Sequence, residues 1–182
     1  MIDKDARAFF EDAASQDDQD IDMSAIALAM VAAYHEGLSL DRYHQHFIKL
    51  HKKVLARFQE ILDQDGQDDV QTRLAALKHI LSDTYDYRFD EPVAEILDSA
   101  DIIRVIDRAK GCRSALALLY MDVARKCGWT IDGLNFPHHY LCRMEKDGVR
   151  IIFDPGEQCR ILEARDLRAL LKDAVGEKAE LS

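Results

Sequence analysis

The sequence predicts an α+β domain, in which an N-terminal helical part packs on a core made of a central buried helix and a small antiparallel sheet. Three observations predict this class. Apolar residues recur at helical spacing between residues 20 and 82. Residues 114–126 are apolar on nearly every side, as in a buried helix. After Gly128, short runs of β-branched and aromatic residues are typical of strands.

Length and composition favour a single domain. The chain has 182 residues, of which 48% are hydrophobic and 32% charged, so it can bury one core. We expect a helical part over residues 1–92, then a core helix, strands and closing helix over 93–175, and a frayed tail over 176–182. The N-terminus lacks the pattern of a signal peptide, and four scattered cysteines without a CxxC pair suit a reducing compartment. These features predict a cytoplasmic protein.

The net charge of -10 opposes binding to phosphate backbones and anionic lipids. We therefore expect neither a nucleic-acid nor a membrane partner. The basic cluster at residues 46–57 has helical spacing and is interpreted as a solvated helix face. We found no cofactor-binding motif, and the expected partner or substrate is a protein or peptide that the sequence does not identify.

The N-terminal part is expected to contain three helices. The first covers residues 20–37, with Asp22 or Ser24 as its N-cap and Gly37 as its stop. The second covers 40–62, and the third runs from 70 to about 82. The acidic loop 63–69 between them lacks the glycine and glutamate positions of a calcium loop, so we interpret it as a connector.

A turn-rich aromatic segment at 85–92 leads into a helix over 93–109, which Lys110 and Gly111 close. After the buried helix, strands are predicted at 129–134, 137–144 and 149–153, and a closing helix at 162–174. Residues 145–148 form the loop between the last two strands.

Cys112 is the cysteine best placed for chemistry. It directly precedes the buried helix, where unpaired backbone N–H groups can stabilise a thiolate. The other three cysteines lack such a position and are interpreted as packing or surface residues. A packing role also stays open for Cys112, because free cysteines are often small buried residues.

A histidine and an aspartate face each other across the predicted hairpin. If its loop is centred between residues 146 and 147, His139 lies directly opposite Asp154, and the carboxylate can orient the imidazole. A turn at Asp147 and Gly148 would leave the two residues diagonal, and His138 would then compete for the role. A purely structural His–Asp pair also stays open.

The strings DIIRVIDRAKGCRSALALLYMDVARKC and GWTIDGLNFPHHYLCRMEKDGVRIIFDP resemble the bacterial SirB-type branch of the transglutaminase-like superfamily. The resemblance covers most of the chain and implies a papain-like core. In active members, a cysteine begins the core helix, and a histidine and an aspartate follow on successive strands. These positions fall on Cys112, His139 and Asp154, with the implied roles of nucleophile, general base and orienting carboxylate.

The chain departs from the SirB pattern in two places. At the start of the core helix, the SirB pattern does not include a cysteine, and Arg113 stands where a proline is usual. On the strands, His138 replaces the glycine of Pro-Gly-His, and Gly156 replaces the phenylalanine of Asp-Pro-Phe. We expect Arg113, His138 and Asn135 to act as binding residues around the site.

Three functions follow as hypotheses. The first is cysteine-dependent acyl transfer or amide hydrolysis, and the second is a catalytically inactive domain that acts as a binding or regulatory module. A mixed metal site of Cys112, His138 or His139, and Asp154 ranks last, because no ligand spacing demands it. We therefore expect no metal ion.

Overall fold

The computed structural model describes residues 4–17, 20–90 and 96–176. The tail predicted at 176–182 lies outside these ranges except for Gly176. The helices are α1 (Lys4–Ala13), α2 (Met23–Ala32), α3 (Asp41–Asp63), α4 (Val70–Leu77), a π-helix (Lys78–Thr84), α5 (Ile96–Ala100), α6 (Ile102–Arg108), α7 (Arg113–Lys126), a 3-10 turn (Pro155–Glu157) and α8 (Ala164–Val175). The strands are β1 (Arg88–Phe89), β2 (Lys110–Gly111), β3 (Thr130–Phe136), β4 (His139–Lys146), β5 (Val149–Asp154) and β6 (Arg160–Ile161). The predicted mixture of helix and sheet is confirmed.

Helix α7 is the centre of the core. Leu116, Leu119, Tyr120 and Val123 are fully buried on its different sides. Helices α2, α3 and α6 contact α7, and so do strands β3 and β4. Burying apolar surface around one helix is the dominant stabilising contribution in such an arrangement. Among the described residues, no helix is long and apolar enough to cross a bilayer.

The predicted helix over 20–37 is shorter in the structure. Of the two predicted N-cap residues, Asp22 and Ser24, the structure has Asp22 in this position. Its side chain accepts a hydrogen bond from the N–H of Ala25. However, the helix ends at Ala32, and residues 33–36 form turns and a bend before Gly37. Gly37 therefore follows a turn with a φ of 76° instead of stopping the helix itself.

The third predicted helix changes its hydrogen bonding half-way. It is an α-helix to Leu77 and a π-helix from Lys78, whose wider turns bring the hydroxyl of Thr84 to the carbonyl of His79 at 2.8 Å. The apolar period does not distinguish these two helix types.

The helix predicted over 93–109 was wrong as one element. Residues 93–95 lie outside the described ranges, and the rest forms α5 and α6, separated at Asp101. The extended backbone of Asp101 lets its carboxylate accept the N–H groups of Ile103 and Arg104, which starts a new helix. Lys110 and Gly111 then form β2, which pairs in parallel with Arg88 and Phe89.

The main sheet is antiparallel, with strand order β3-β4-β5-β6. The loop predicted at 145–148 was too long, because Lys146 pairs with Val149 across a two-residue turn at Asp147 and Gly148. Both turn residues have positive φ, of 51° and 79°, as a tight hairpin requires. The register therefore differs by two residues from one that places His139 directly opposite Asp154.

Candidate functional site

Cys112 is the N-cap residue of α7. Its backbone is extended, and its N–H donates to the carbonyl of Ser99 at 2.7 Å. Its partly exposed thiol lies 3.2 Å from the Ser114 hydroxyl. Among the described residues, no hydrogen bond joins this thiol to His139, whose Nδ1 atom faces Asp154 instead.

His139 and Asp154 do meet. The Nδ1 atom of His139 lies 3.2 Å from Oδ2 of Asp154. The shift in register is two residues, which keeps both side chains on one face of the sheet, because side chains alternate along a strand. The diagonal arrangement still brings the imidazole to the carboxylate. His138 lies beside this pair, exposed in the β3–β4 turn with a φ of 58°.

Asp154 is 1% exposed and its two oxygens have different partners. Oδ1 accepts the N–H of Gly156 at 2.7 Å and caps the 3-10 turn. Oδ2 accepts hydrogen bonds from His139 and from the guanidinium of Arg113. A buried carboxylate needs such donors and a positive partner to offset its lost hydration.

Arg113 fills the space between the start of α7 and the strands. Its guanidinium ion-pairs with Asp154 and lies 3.6 Å from a carboxylate oxygen of Glu157. It also lies over the ring of Phe89, 4.3 Å from the ring centre, in cation–π geometry. The short β1–β2 pairing brings Phe89 to this place. Arg113, directly after Cys112 in the chain, is thus the α7 residue that contacts the His139–Asp154 pair.

The remaining cysteines are unsuited to nucleophilic chemistry, because Cys142 and Cys159 are buried and Cys127 is partly buried. Burial raises the pKa of the Cys127 and Cys159 thiols to about 12. Burial also raises the pKa of Cys142 well above its usual range. A thiol must lose its proton to react, so these residues have packing roles.

Side chains with metal-ligand chemistry converge at one point in the described structure. Ligand atoms of His139, Asp154 and Glu157 lie within 4.8 Å of one another. The two carboxylates already share the guanidinium of Arg113. A metal ion would have to displace this cation, so the arrangement favours an internal ion pair over metal binding.

A cavity of about 220 Å³ lies beside the pair, between the end of the sheet and α8. Most of its polar lining is acidic, and Cys112 is not among its lining residues. The charged and titratable lining residues are His139, Asp154, Glu157, Arg160, Asp166 and Asp173.

The predicted binding residues have different surroundings. Arg113 joins the pair, whereas Asn135 and His138 are exposed at the tip of the β3–β4 hairpin. Three further neighbours of the site were not predicted: Glu157, Phe89 and Ser114. Glu157 could have been noticed three residues after Asp154 in a tight turn, but nothing local in the sequence indicates the contacts of Phe89.

Comparisons with known proteins agree with the sequence resemblance at the family level. The model of the transglutaminase-like superfamily matches residues 42–182. Two relatives are UPF0162 proteins of Xylella fastidiosa. The Temecula1 protein is 34% identical over 76 residues, which are 42% of this chain and 27% of the relative. The 9a5c protein is 34% identical over 73 residues, which are 40% and 26%. The matched segment thus spans about a quarter of each relative, and no solved structure matches the chain.

Proposed function

The chain belongs to the transglutaminase-like superfamily, and from this premise we propose that it is a catalytically inactive binding or regulatory domain of the SirB type. The ion pair between Arg113 and Asp154 is the observation that supports this proposal. In the thiol chemistry of active members, the carboxylate orients the histidine and stabilises its charged form. Here the same carboxylate oxygen also neutralises a permanent guanidinium charge.

The position of Cys112 supports the same proposal. A nucleophilic thiol needs its base within hydrogen-bond reach. The thiol of Cys112 instead contacts Ser114. Arg113, held by two carboxylates and the Phe89 ring, occupies the approach to the pair from the helix.

In this proposal the His139–Asp154 pair is structural. It ties the start of β4 to the end of β5, and Arg113 ties both to α7. The four free thiols suit a reducing compartment, so the proposal includes a cytoplasmic site of action. Binding would then use surfaces of the domain and not turnover at a thiol.

A second candidate is acyl transfer or amide hydrolysis with Cys112, His139 and Asp154 as nucleophile, base and orienting carboxylate. Two observations favour it: the contact between His139 and Asp154, and the place of Cys112 at the N-terminus of α7. It requires the thiol to leave Ser114 and Arg113 to move aside.

A turnover assay separates the two candidates. Wild-type protein and the Cys112→Ser variant are incubated with glutamine-containing peptides and a fluorescent primary amine, and ammonia release and amine incorporation are measured. The inactive-domain proposal predicts equal background rates for both proteins. Turnover by the wild type that disappears in Cys112→Ser would establish the acyl-transfer candidate instead.

A further inference from the structure

One face of helix α3 has no role in the function proposed above. The face is exposed along three turns of the helix, opposite the buried residues Tyr43, Phe47, Leu50 and Val54. We call it the lysine face. Its residues are Gln45, Ile48, Lys49, Lys52, Lys53 and Ala56.

The charge of this face is opposite to that of the protein. The chain has 34 acidic residues and a net charge of -10, yet residues 42–59 contain neither Asp nor Glu. In the part of the chain that the structure describes, Lys49, Lys52 and Lys53 form no salt bridge. Many other cations do, including Arg73 with Asp68 and Arg104 with Asp98. No described carboxylate therefore forms an ion pair with any of these three ammonium groups.

The face also has shape and apolar character. Its side chains surround a shallow depression of about 320 Å³, and Ile48, one of the lining residues, is 36% exposed. Lys53 is held over the ring of Tyr85, 5.0 Å from the ring centre, by a cation–π contact. Spacings of three and four residues along a straight helix suit a second helix packed against it.

We propose that the lysine face docks an acidic amphipathic helix of a partner protein, with carboxylates opposite Lys49, Lys52 and Lys53 and an apolar side chain over Ile48. Charge complementarity selects such an occupant and increases its association rate. The inference concerns a surface on α3 and does not depend on whether the His139–Asp154 site is catalytic.

A nucleic acid suits this face less well. The three lysines span about 6 Å along the helix, at 1.5 Å per residue, which is too short to follow several phosphates. The ring beside them, Tyr85, already has Lys53 over its face and Tyr87 stacked at 6.3 Å, so it is poorly placed to stack with a base. The net charge of -10 repels a long polyanion, whereas a short acidic segment mainly experiences the local charges within a Debye length of about 8 Å.

Nuclear magnetic resonance titration tests the proposal. The ligand is a synthetic amphipathic helical peptide with Glu on its polar face and Leu on its apolar face, added to ¹⁵N-labelled protein. We expect shifts concentrated on the lysine face, weaker at about 0.15 M than at about 0.02 M salt. The triple variant Lys49→Gln, Lys52→Gln, Lys53→Gln should lower the affinity about tenfold.

The matched control removes three other positive charges, at Lys78, Arg150 and Arg165, which pair with Asp83, Glu145 and Glu163. Changing these to Gln alters the net charge equally and should change the affinity less than twofold. The proposal fails if both triple variants lose equal affinity, or if the wild type shows no shifts on α3 at millimolar peptide. Tighter binding of a single-stranded oligonucleotide of equal charge at the same lysines would replace it with a nucleic-acid role.

Discussion

Arg113 and Asp154 are the two residues on which the candidate site depends. Asp154 is buried, and Arg113 provides the full positive charge beside it. Removing one member of a buried ion pair leaves an uncompensated charge, whereas removing both is often much less costly. The pair therefore acts as a structural lock between α7 and the sheet.

The first prediction concerns this lock. Arg113→Met should lower the free energy of unfolding by about 2–3 kcal/mol, because among the described residues His139 is then the one side chain left to hydrogen-bond Asp154. The double variant Arg113→Met, Asp154→Asn should recover most of this loss. Urea unfolding of the wild type, both single variants and the double variant measures the coupling. If the double variant loses as much free energy of unfolding as the two single variants together, the two side chains are not energetically coupled.

The second prediction concerns His138, which has a φ of 58° in the β3–β4 turn. A non-glycine residue is strained in this left-handed region, and glycine is not. His138→Gly should therefore raise the free energy of unfolding by about 0.5–1 kcal/mol. His138→Ala, which removes the imidazole but keeps the strain, is the control and should give no such gain. Equal effects of both changes would assign the difference to the imidazole.

At the residue scale, the sequence predicts the His139–Asp154 contact but not its third partner. Strand alternation alone puts both side chains on one face, so the contact tolerates a register error of two residues. The role of Arg113 depends on where a long flexible side chain points. It also depends on Phe89, which a short parallel pairing brings from far along the chain.

Helices α2 and α7 are joined at a buried acid. Asp122 of α7 accepts the N–H of Ser24 at 2.9 Å, and Lys126 lies 2.9 Å from the same oxygen. Burial raises the pKa of Asp122, although Lys126 and the Ser24 N–H oppose this shift. The pKa of Asp22, at the start of α2, is shifted in the opposite direction. Burial alone would raise its pKa, but hydrogen bonds from Ala25, Ser24 and Lys126 hold it below the usual value.

The third prediction follows from the raised pKa of Asp122. The folded state holds the Asp122 proton more tightly than the unfolded state, so this residue contributes most stability below its unfolded pKa of about 4. That contribution is lost as the pH rises through the folded pKa. The stability of the wild type minus that of Asp122→Asn should therefore fall as the pH rises from about 4. Asp22 titrates in both proteins, so its effect largely cancels in this difference.

Chemical denaturation of both proteins from pH 4 to 8 measures this difference. If the wild-type advantage grows with pH instead, the ion pair with Lys126 outweighs the cost of burying the charge.

Element boundaries were predictable where a local signal exists. The Asp22 cap gives the start of α2, and the change of period after Gly128 indicates the strands. The π-helix and the break at Asp101 were not predicted. The spacing of apolar residues does not distinguish an α-helix from one that continues as a π-helix. An Asp inside a helical pattern can be either a surface residue of one helix or the N-cap of a second helix.

On the scale of the whole molecule, the buried α7 determines what can be predicted. A segment that is apolar on all sides must be surrounded, so the mixed fold with a central helix follows from its pattern. The contact between residues 88–89 and 110–111 is different, because two-residue strands have no pattern of their own. The candidate site lies at this contact, which explains why the fold was more predictable than the site.

We propose that Arg113, and not Cys112, faces the His139–Asp154 pair, so that no thiol is activated there. The pH dependence of iodoacetamide labelling at each cysteine, measured by mass spectrometry, tests it most directly. Wild type is compared with His139→Ala, and His138→Ala is the matched control.

We predict that Cys112 labels faster than Cys127, Cys142 and Cys159, whose pKa values are raised by burial, and that its rate at each pH is the same in all three proteins. A rate for Cys112 near pH 7 that falls severalfold in His139→Ala, and not in His138→Ala, would contradict the claim and establish a working thiol–imidazole pair.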